Sequence, residues 1–177
     1  VLLSMAIERE TITVRKAHAT DSAILLEWRN DPETRRMSVN QRFITQEEHD
    51  AWLQRVLHCD DRYLLIGQVV SLTETGDLSR IGMVRFDVDS ASSRADVSIT
   101  VNPRLRGQGL SVPLLRAGID YLRCDLARRL SLVEVILRAQ IRKDNTSSVN
   151  LFRRIGFSYA GEDQQYYWQT YTVNCAP

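Results

Sequence analysis

The sequence predicts an α/β chain folded as a single domain, with a mixed, mostly antiparallel sheet of about seven strands and four helices. Three observations carry that prediction. Apolar residues recur with a period of two in some segments and of three to four in others, in the order strand, two helices, three strands, helix, strand, helix, two strands. No internal repeat, low-complexity tract or Pro/Gly linker divides the 177 residues, a length that one core can fill. A short run with two glycines joins one β-rich segment to the longest helical pattern.

Val1–Glu10 has no clear period and is expected to be a leader of uncertain order ahead of a domain over residues 11–173. Thr11–Ala17 alternates around Ile12 and Val14 and reads as a strand. Thr20 or Asp21 can cap a first helix, whose Ile24, Leu25 and Trp28 share one face until Pro32 closes or kinks it. Thr45 and Glu48 match a capping box and open a second helix, with Trp52, Leu53 and Val56 as its buried stripe. Arg62–Leu72, Arg80–Asp87 and Arg94–Val101 are β-rich. Thr75-Gly76-Asp77 and Ser90-Ala91-Ser92-Ser93 are turn sequences between them, so the three read as an antiparallel meander.

A long helix is expected from Leu110 to Arg129, with Leu114, Leu115, Ile119, Leu122 and Leu126 on one face. Pro113 falls in its first turn, where a missing N–H costs little. Leu132–Ala139 reads as a buried strand and Asn145–Ile155 as a short helix that Gly156 caps. Phe157–Ala160 and Gln165–Thr172 make a closing hairpin. Its Tyr166, Tyr167, Trp168 and Tyr171 offer an edge for a homodimer or, equally, fill the core.

Composition narrows the function classes. Hydrophobic residues at 44% and charged residues at 25% are ordinary for a globular protein. No apolar run approaches the roughly 20 residues of a membrane-spanning helix, and no secretory signal is visible, so no membrane partner and a cytoplasmic location are expected. A net charge of +1 gives no support to a general affinity for nucleic acid. Cys59, Cys124 and Cys175 have neither disulfide nor zinc-ligand spacing, and no metal site is expected.

The chemistry-bearing run is Val101-Asn102-Pro103-Arg104-Leu105-Arg106-Gly107-Gln108-Gly109-Leu110-Ser111. Glycines at a strand-to-helix junction let successive N–H groups turn toward one point, at the positive end of the following helix dipole. That arrangement receives phosphate oxygens, and Arg104 and Arg106 can add charged contacts. The same pattern alone also describes a plain tight turn. It lacks the lysine of a nucleoside triphosphate loop and the third glycine of a dinucleotide fingerprint.

At two places the chain resembles the GNAT superfamily of acetyltransferases. Arg104-x-x-Gly107-x-Gly109 is similar to its cofactor motif, and Asn145-Thr146-Ser147-Ser148-Val149-Asn150-Leu151-Phe152-Arg153-Arg154-Ile155-Gly156-Phe157 is similar to its second element. The order of elements also agrees over Ile12 to Thr172. The resemblance implies a single-domain GNAT fold whose sheet splays between the strand ending at Val101 and the strand Leu132–Ala139, with acetyl-CoA as acetyl donor in that gap. Backbone groups of Ile99 and Val101 would pair with the pantetheine arm, and Leu105, Arg106, Gly107, Gln108, Gly109, Leu110 and Ser111 would hold the pyrophosphate. Asn145 would bond the pantetheine or cap its helix, and Phe152 would line the same site.

The implied reaction is direct attack of an amine on the thioester, without a covalent enzyme intermediate. Phe152 stands where many members carry a tyrosine acid, so proton donation passes to Tyr159, Tyr166, Tyr167, Ser148 or water, or is dispensed with. Asp96, Glu27 and His49 are the candidate bases. Alternation puts Asp96, Ser98 and Thr100 on one strand face, opposite Val97, Ile99 and Val101.

For the acceptor, Glu27-Trp28-Arg29-Asn30-Asp31-Pro32-Glu33-Thr34-Arg35-Arg36 is similar to two branches of the superfamily. One comprises acetyltransferases of nucleotide-linked amino sugars, the pseudaminic acid pathway among them; the other acetylates ribosomal-protein N-terminal alanines. Trp28 would stack on a base or sugar, or pack in the core. Arg29, Arg35 and Arg36 would meet a diphosphate, or be solvated, with Asn30 beside them in the acceptor site. The partner is therefore a small-molecule amine or a peptide N-terminus, and a non-catalytic acyl-CoA-binding module is the reading from another class.

Overall fold

One seven-stranded sheet, in the order β1-β2-β3-β4-β5-β7-β6, organises the chain in a computed structural model that describes residues 12–69, 80–129 and 133–175. The strands are β1 (Ile12–Lys16), β2 (Arg62–Val69), β3 (Arg80–Asp89), β4 (Arg94–Val101), β5 (Glu134–Arg142), β6 (Ser158–Glu162) and β7 (Tyr166–Asn174). β1 to β4 form an antiparallel run, β5, β7 and β6 form another, and the β4–β5 pair that joins them is parallel. The expected mixed, mostly antiparallel sheet is what forms.

The helices are α1 (Ser22–Asn30), α2 (Pro32–Met37), α3 (Gln46–Leu57), α4 (Ser111–Arg129) and α5 (Thr146–Ile155). α2 is one more than the four expected. Pro32 does end α1, but Asp31 beside it accepts a hydrogen bond from Thr34 N and so caps a new helix of six residues, with Pro32 in its first turn. The Thr45–Glu48 capping box opens α3 as expected, and Gly156 closes α5 at φ 115°, which favours glycine. β5 runs three residues past Ala139. Val1–Glu10, the end of Arg62–Leu72 beyond Val69 and the Thr75–Asp77 turn lie outside the described residues.

Two apolar clusters flank the sheet. α4 lays Leu114, Leu115, Leu122 and Leu126, all fully buried, on the face formed by Leu65, Val84, Phe86, Val97, Val135 and Leu137, and this cluster takes in Leu151 and Phe152 of α5. On the other face, Ile24, Leu25 and Trp28 of α1 and Leu53 and Val56 of α3 cover Leu64 and Ile66 of β2. From β3 that second cluster reaches only Met83, so the helical cover stops short of β4. Asp21, fully buried ahead of α1, is bonded by Arg15 of β1 at 2.7 and 2.9 Å and paired with Arg80 of β3 at 3.6 Å. No helix among the described residues is long and apolar enough to cross a membrane.

Candidate active site

β4 and β5 stay paired only from Arg94 to Asp96, opposite Ile136 to Arg138. Ile136 N donates to Ser93 O at 2.9 Å. By the two-residue repeat of a strand, the backbone groups of Val97, Ile99 and Val101 then face the side from which β5 has departed. The side chains of Ile99 and Val101 are half-buried and pack against the main cluster, while their N–H and C=O groups open on the gap.

Beyond β4, buried Asn102 builds the turn: its Oδ1 accepts from Arg104 N at 3.0 Å and its Nδ2 donates to Arg80 O at 3.0 Å. Leu105 and Leu110 are buried anchors on either side of the loop. Between them Gly107 and Gly109 hold φ at 77° and 76°, the left-handed region, and a Cβ at either would meet no atom within 4 Å. From Arg106 to Val112 no backbone N–H has a hydrogen-bond partner among the described residues. Ser111 begins α4, whose dipole adds positive potential there. A concavity lined by free donors, with space where side chains would stand, fits a pyrophosphate. Gln108 is half-buried in the same loop.

The two arginines of the loop are engaged elsewhere. Arg106 Nη2 bonds Asp31 Oδ2 and Thr34 Oγ1, each at 2.6 Å, and Arg104 Nη2 reaches Glu27 Oε1 at 3.2 Å. Burial pushes the Asp31 carboxyl up, but the Thr34 N–H and Arg106 outweigh it and hold the group below its ordinary value. At its other end α2 places Arg36 within 3.8 Å of Asp144, in the turn after β5. α2 therefore spans the mouth of the gap. Across that mouth Asn145 caps α5 by accepting from Ser148 N at 3.0 Å, its Nδ2 having no partner among the described residues, and Phe152 is core, edge-on to Phe157 at 4.9 Å.

The register places Met83, Arg85 and Asp87 of β3 opposite Thr100, Ser98 and Asp96 of β4. All six share the face on which Met83 meets the α1–α3 cluster, so the polar face of β4 forms a shelf beyond those helices. Asp96, at the apex of the gap, is gripped by Arg138 at 2.7 and 3.0 Å. Glu27 is exposed beside Arg104. His49 is 3% exposed on the packed side of α3, near Trp52, with Nε2 buried and unpartnered; burial pushes its pKa down, against Asp50 and the Ser22 backbone.

Among the acceptor residues, Trp28 takes the packed alternative open to it. It is 2% exposed in the second cluster and presents no ring face to a ligand. Asn30 also works internally: its Nδ2 donates to Ile44 O at 2.8 Å and its Oδ1 accepts from Ile44 N at 2.9 Å, which pins the segment before α3. Arg29 donates to Asn40 O at 2.6 Å and Arg35 to Gln41 O at 3.1 Å, and neither has a carboxylate partner among the described residues. Burial, then the charges of Arg35 and Arg42, hold the Arg29 guanidinium below its usual pKa. Arg85 of the shelf was not singled out from the sequence, where it is only a polar residue in strand alternation.

A sheet that parts next to a loop of free donors has the form expected of a coenzyme A-dependent acyltransferase, whose cofactor is extended and bears a pyrophosphate. Comparison supports this directly. Residues 11–158 match the model of the acetyltransferase (GNAT) domain. The chain is 24% identical over 148 residues to acetyltransferase PseH of Campylobacter jejuni, covering 81% of each. Its fold is similar to spermidine N-acetyltransferase of Vibrio cholerae, solved with CoA and spermine (TM-score 0.74, 14% identity, 93% of this chain and 95% of that one). It is also similar to a GNAT-family acetyltransferase of Streptococcus pneumoniae (TM-score 0.68, 17% identity, 92% and 99% covered). The chain belongs to the GNAT acetyltransferase family, and it is an N-acetyltransferase with acetyl-CoA as its acetyl donor.

Proposed function

We propose that the acceptor is a primary amine on a nucleotide-linked sugar, whose phosphates meet Arg29 and Arg35. The carrying observation is the Arg29 guanidinium: it is half-buried, its Nη1 is buried without a partner, and Arg35 and Arg42 crowd it with like charge. A diphosphate relieves that repulsion. The PseH relative also supports the reading, as does the resemblance of residues 27–36 to amino-sugar acetyltransferases, which those residues share with the N-terminal alanine branch. A polyamine, as in the Vibrio neighbour, would meet the arginines unfavourably.

In this reading the N–H groups from Arg106 to Val112 bind the pyrophosphate, and the backbone of Ile99 and Val101 orients the arm. Bound acetyl-CoA would supply an activated thioester: as the amine forms the amide bond the C–S bond breaks, and CoA leaves as a thiolate that takes a proton from water. An N–H of β4 polarises the carbonyl oxygen. Asp96, fixed by Arg138 on the polar shelf at the apex, takes the ammonium proton through water, a role better placed there than at Glu27 by the cofactor loop. His49 is enclosed by packing and serves the helix instead.

The test is turnover with acetyl-CoA, read as free thiol, on UDP-linked 4-amino sugars and on peptides with N-terminal alanine. The reading expects the sugars to be preferred, and Arg29→Met to raise their KM at least tenfold while leaving cofactor affinity unchanged. Preference for the peptide, or for free amino sugars over their nucleotides, removes the phosphate contact.

A further inference from the structure

The apolar α1–α3 cluster ends at Met83, and next to it Arg85 of β3 with Ser98 and Thr100 of β4, all half-buried, form a polar shelf. Arg85 is the fixed cation of that shelf. Its Nη2 pairs with Asp87 Oδ2 at 3.1 Å and its guanidinium lies 6.0 Å from the Trp52 ring centroid on α3. Those contacts orient the group but leave Nε, which is buried, and Nη1 without a hydrogen-bond partner among the described residues. Asp87 is itself shared with Arg62 at 3.8 Å, so it does not fully neutralise Arg85.

Position gives this cation a role. Ser98 lies directly opposite Arg85, between Val97 and Ile99, whose backbone groups face the gap. Adjacent strands lie about 4.8 Å apart, so the Arg85 backbone is two strand spacings, roughly 10 Å, from the line along which the cofactor arm would run, a span that its long side chain can bridge over β4. An oriented guanidinium with a free N–H at that distance reads the atoms next to the reacting nitrogen rather than a remote end of the acceptor.

We infer that Arg85 is a specificity-determining acceptor contact: its free Nη1 donates to an oxygen on the carbon adjacent to the one bearing the reacting amine. A 4-amino sugar carries such an oxygen as its 3-hydroxyl and a peptide N-terminus carries it as the first carbonyl. A polyamine has methylenes there, and its second ammonium is repelled by Arg85. The inference rests on the acceptor site lying on the shelf, as in the proposed function, but it holds for either oxygen-bearing acceptor class.

The experiment is a cycle between protein and ligand. Wild-type enzyme and Arg85→Met are assayed with a UDP-linked 4-amino sugar and its 3-deoxy analogue, and with an alanine-terminated peptide and its analogue in which the first carbonyl is reduced to methylene. Wild-type enzyme should favour each oxygen-bearing acceptor over its analogue by roughly tenfold to a hundredfold in kcat/KM, the effect of a charged hydrogen bond. Arg85→Met should abolish that preference through acceptor KM, with acetyl-CoA affinity and melting temperature unchanged. A purely structural Arg85 would lower both members of each pair equally, and that result overturns the inference. Spermidine preferred to all four also overturns it. Turnover of the peptides but not the sugars, with the preference lost on substitution, upholds the role of Arg85 and refutes the nucleotide reading alone.

Discussion

Replacing Gly107 or Gly109 by alanine separates what the loop costs from what it binds. Both residues sit near φ 77°, where an L-residue is disfavoured by about 1–2 kcal/mol, and neither new Cβ meets an atom within 4 Å. Each substitution should therefore destabilise the free protein by about 1–2 kcal/mol from backbone strain alone, lowering Tm by roughly 2–8 °C for a chain of this size. The added methyl group stands in the concavity formed by the free N–H groups, so acetyl-CoA affinity should fall more than tenfold by calorimetry. Gly156→Ala is the control: its φ of 115° imposes similar strain at the end of α5, with Tyr171 at 3.3 Å, but outside the loop. Equal acetyl-CoA affinity in all three variants and the wild type would refute the phosphate-receptor reasoning, since strain without ligand contact would then account for everything.

Other expectations follow from named contacts. Asp21→Ala should destabilise by about 3 kcal/mol in denaturant melts, the low end for a broken buried pair because Arg15 and Arg80 each keep 30% exposure. His49 should make stability fall as pH drops below its unfolded pKa of about 6.5, because burial depresses the folded pKa and the neutral ring is the one that packs. His49→Leu should flatten the decline in Tm between pH 7 and pH 5; an unchanged slope would mean the ring is accessible. Asp96→Asn should lower kcat at least a hundredfold with cofactor affinity intact, while Glu27→Gln should cost less than tenfold. The reverse order would move the base to α1.

Long-period features were legible in the sequence and short or long-range ones were not. The Leu114–Leu126 stripe, the Thr45–Glu48 box and the glycine loop each declare themselves within a few turns of chain, so α3, α4 and the strand-to-helix turn at Gly107 and Gly109 form as expected. α2 escaped because six residues carry no usable period and Asp31-Pro32 signals a stop and a start alike. The acceptor wall was misread in its details for a different reason. Trp28, Arg29 and Asn30 are consecutive, but the helix turns Trp28 into the core and Asn30 onto Ile44, while Arg29 keeps an Nη1 with no partner among the described residues. The Arg138 grip on Asp96 spans 42 residues across a parallel pair, a register that no local pattern encodes.

Amide hydrogen exchange with and without acetyl-CoA tests most directly where the cofactor lies. Binding should slow exchange at Gly107 to Val112, Pro113 having no N–H, and at Ile99 and Val101, whose backbone faces the gap, while β1 and β2 stay unchanged. Saturating acetyl-CoA that leaves those amides as exchangeable as before, or protects a different part of the chain, would contradict binding in the β4–β5 gap.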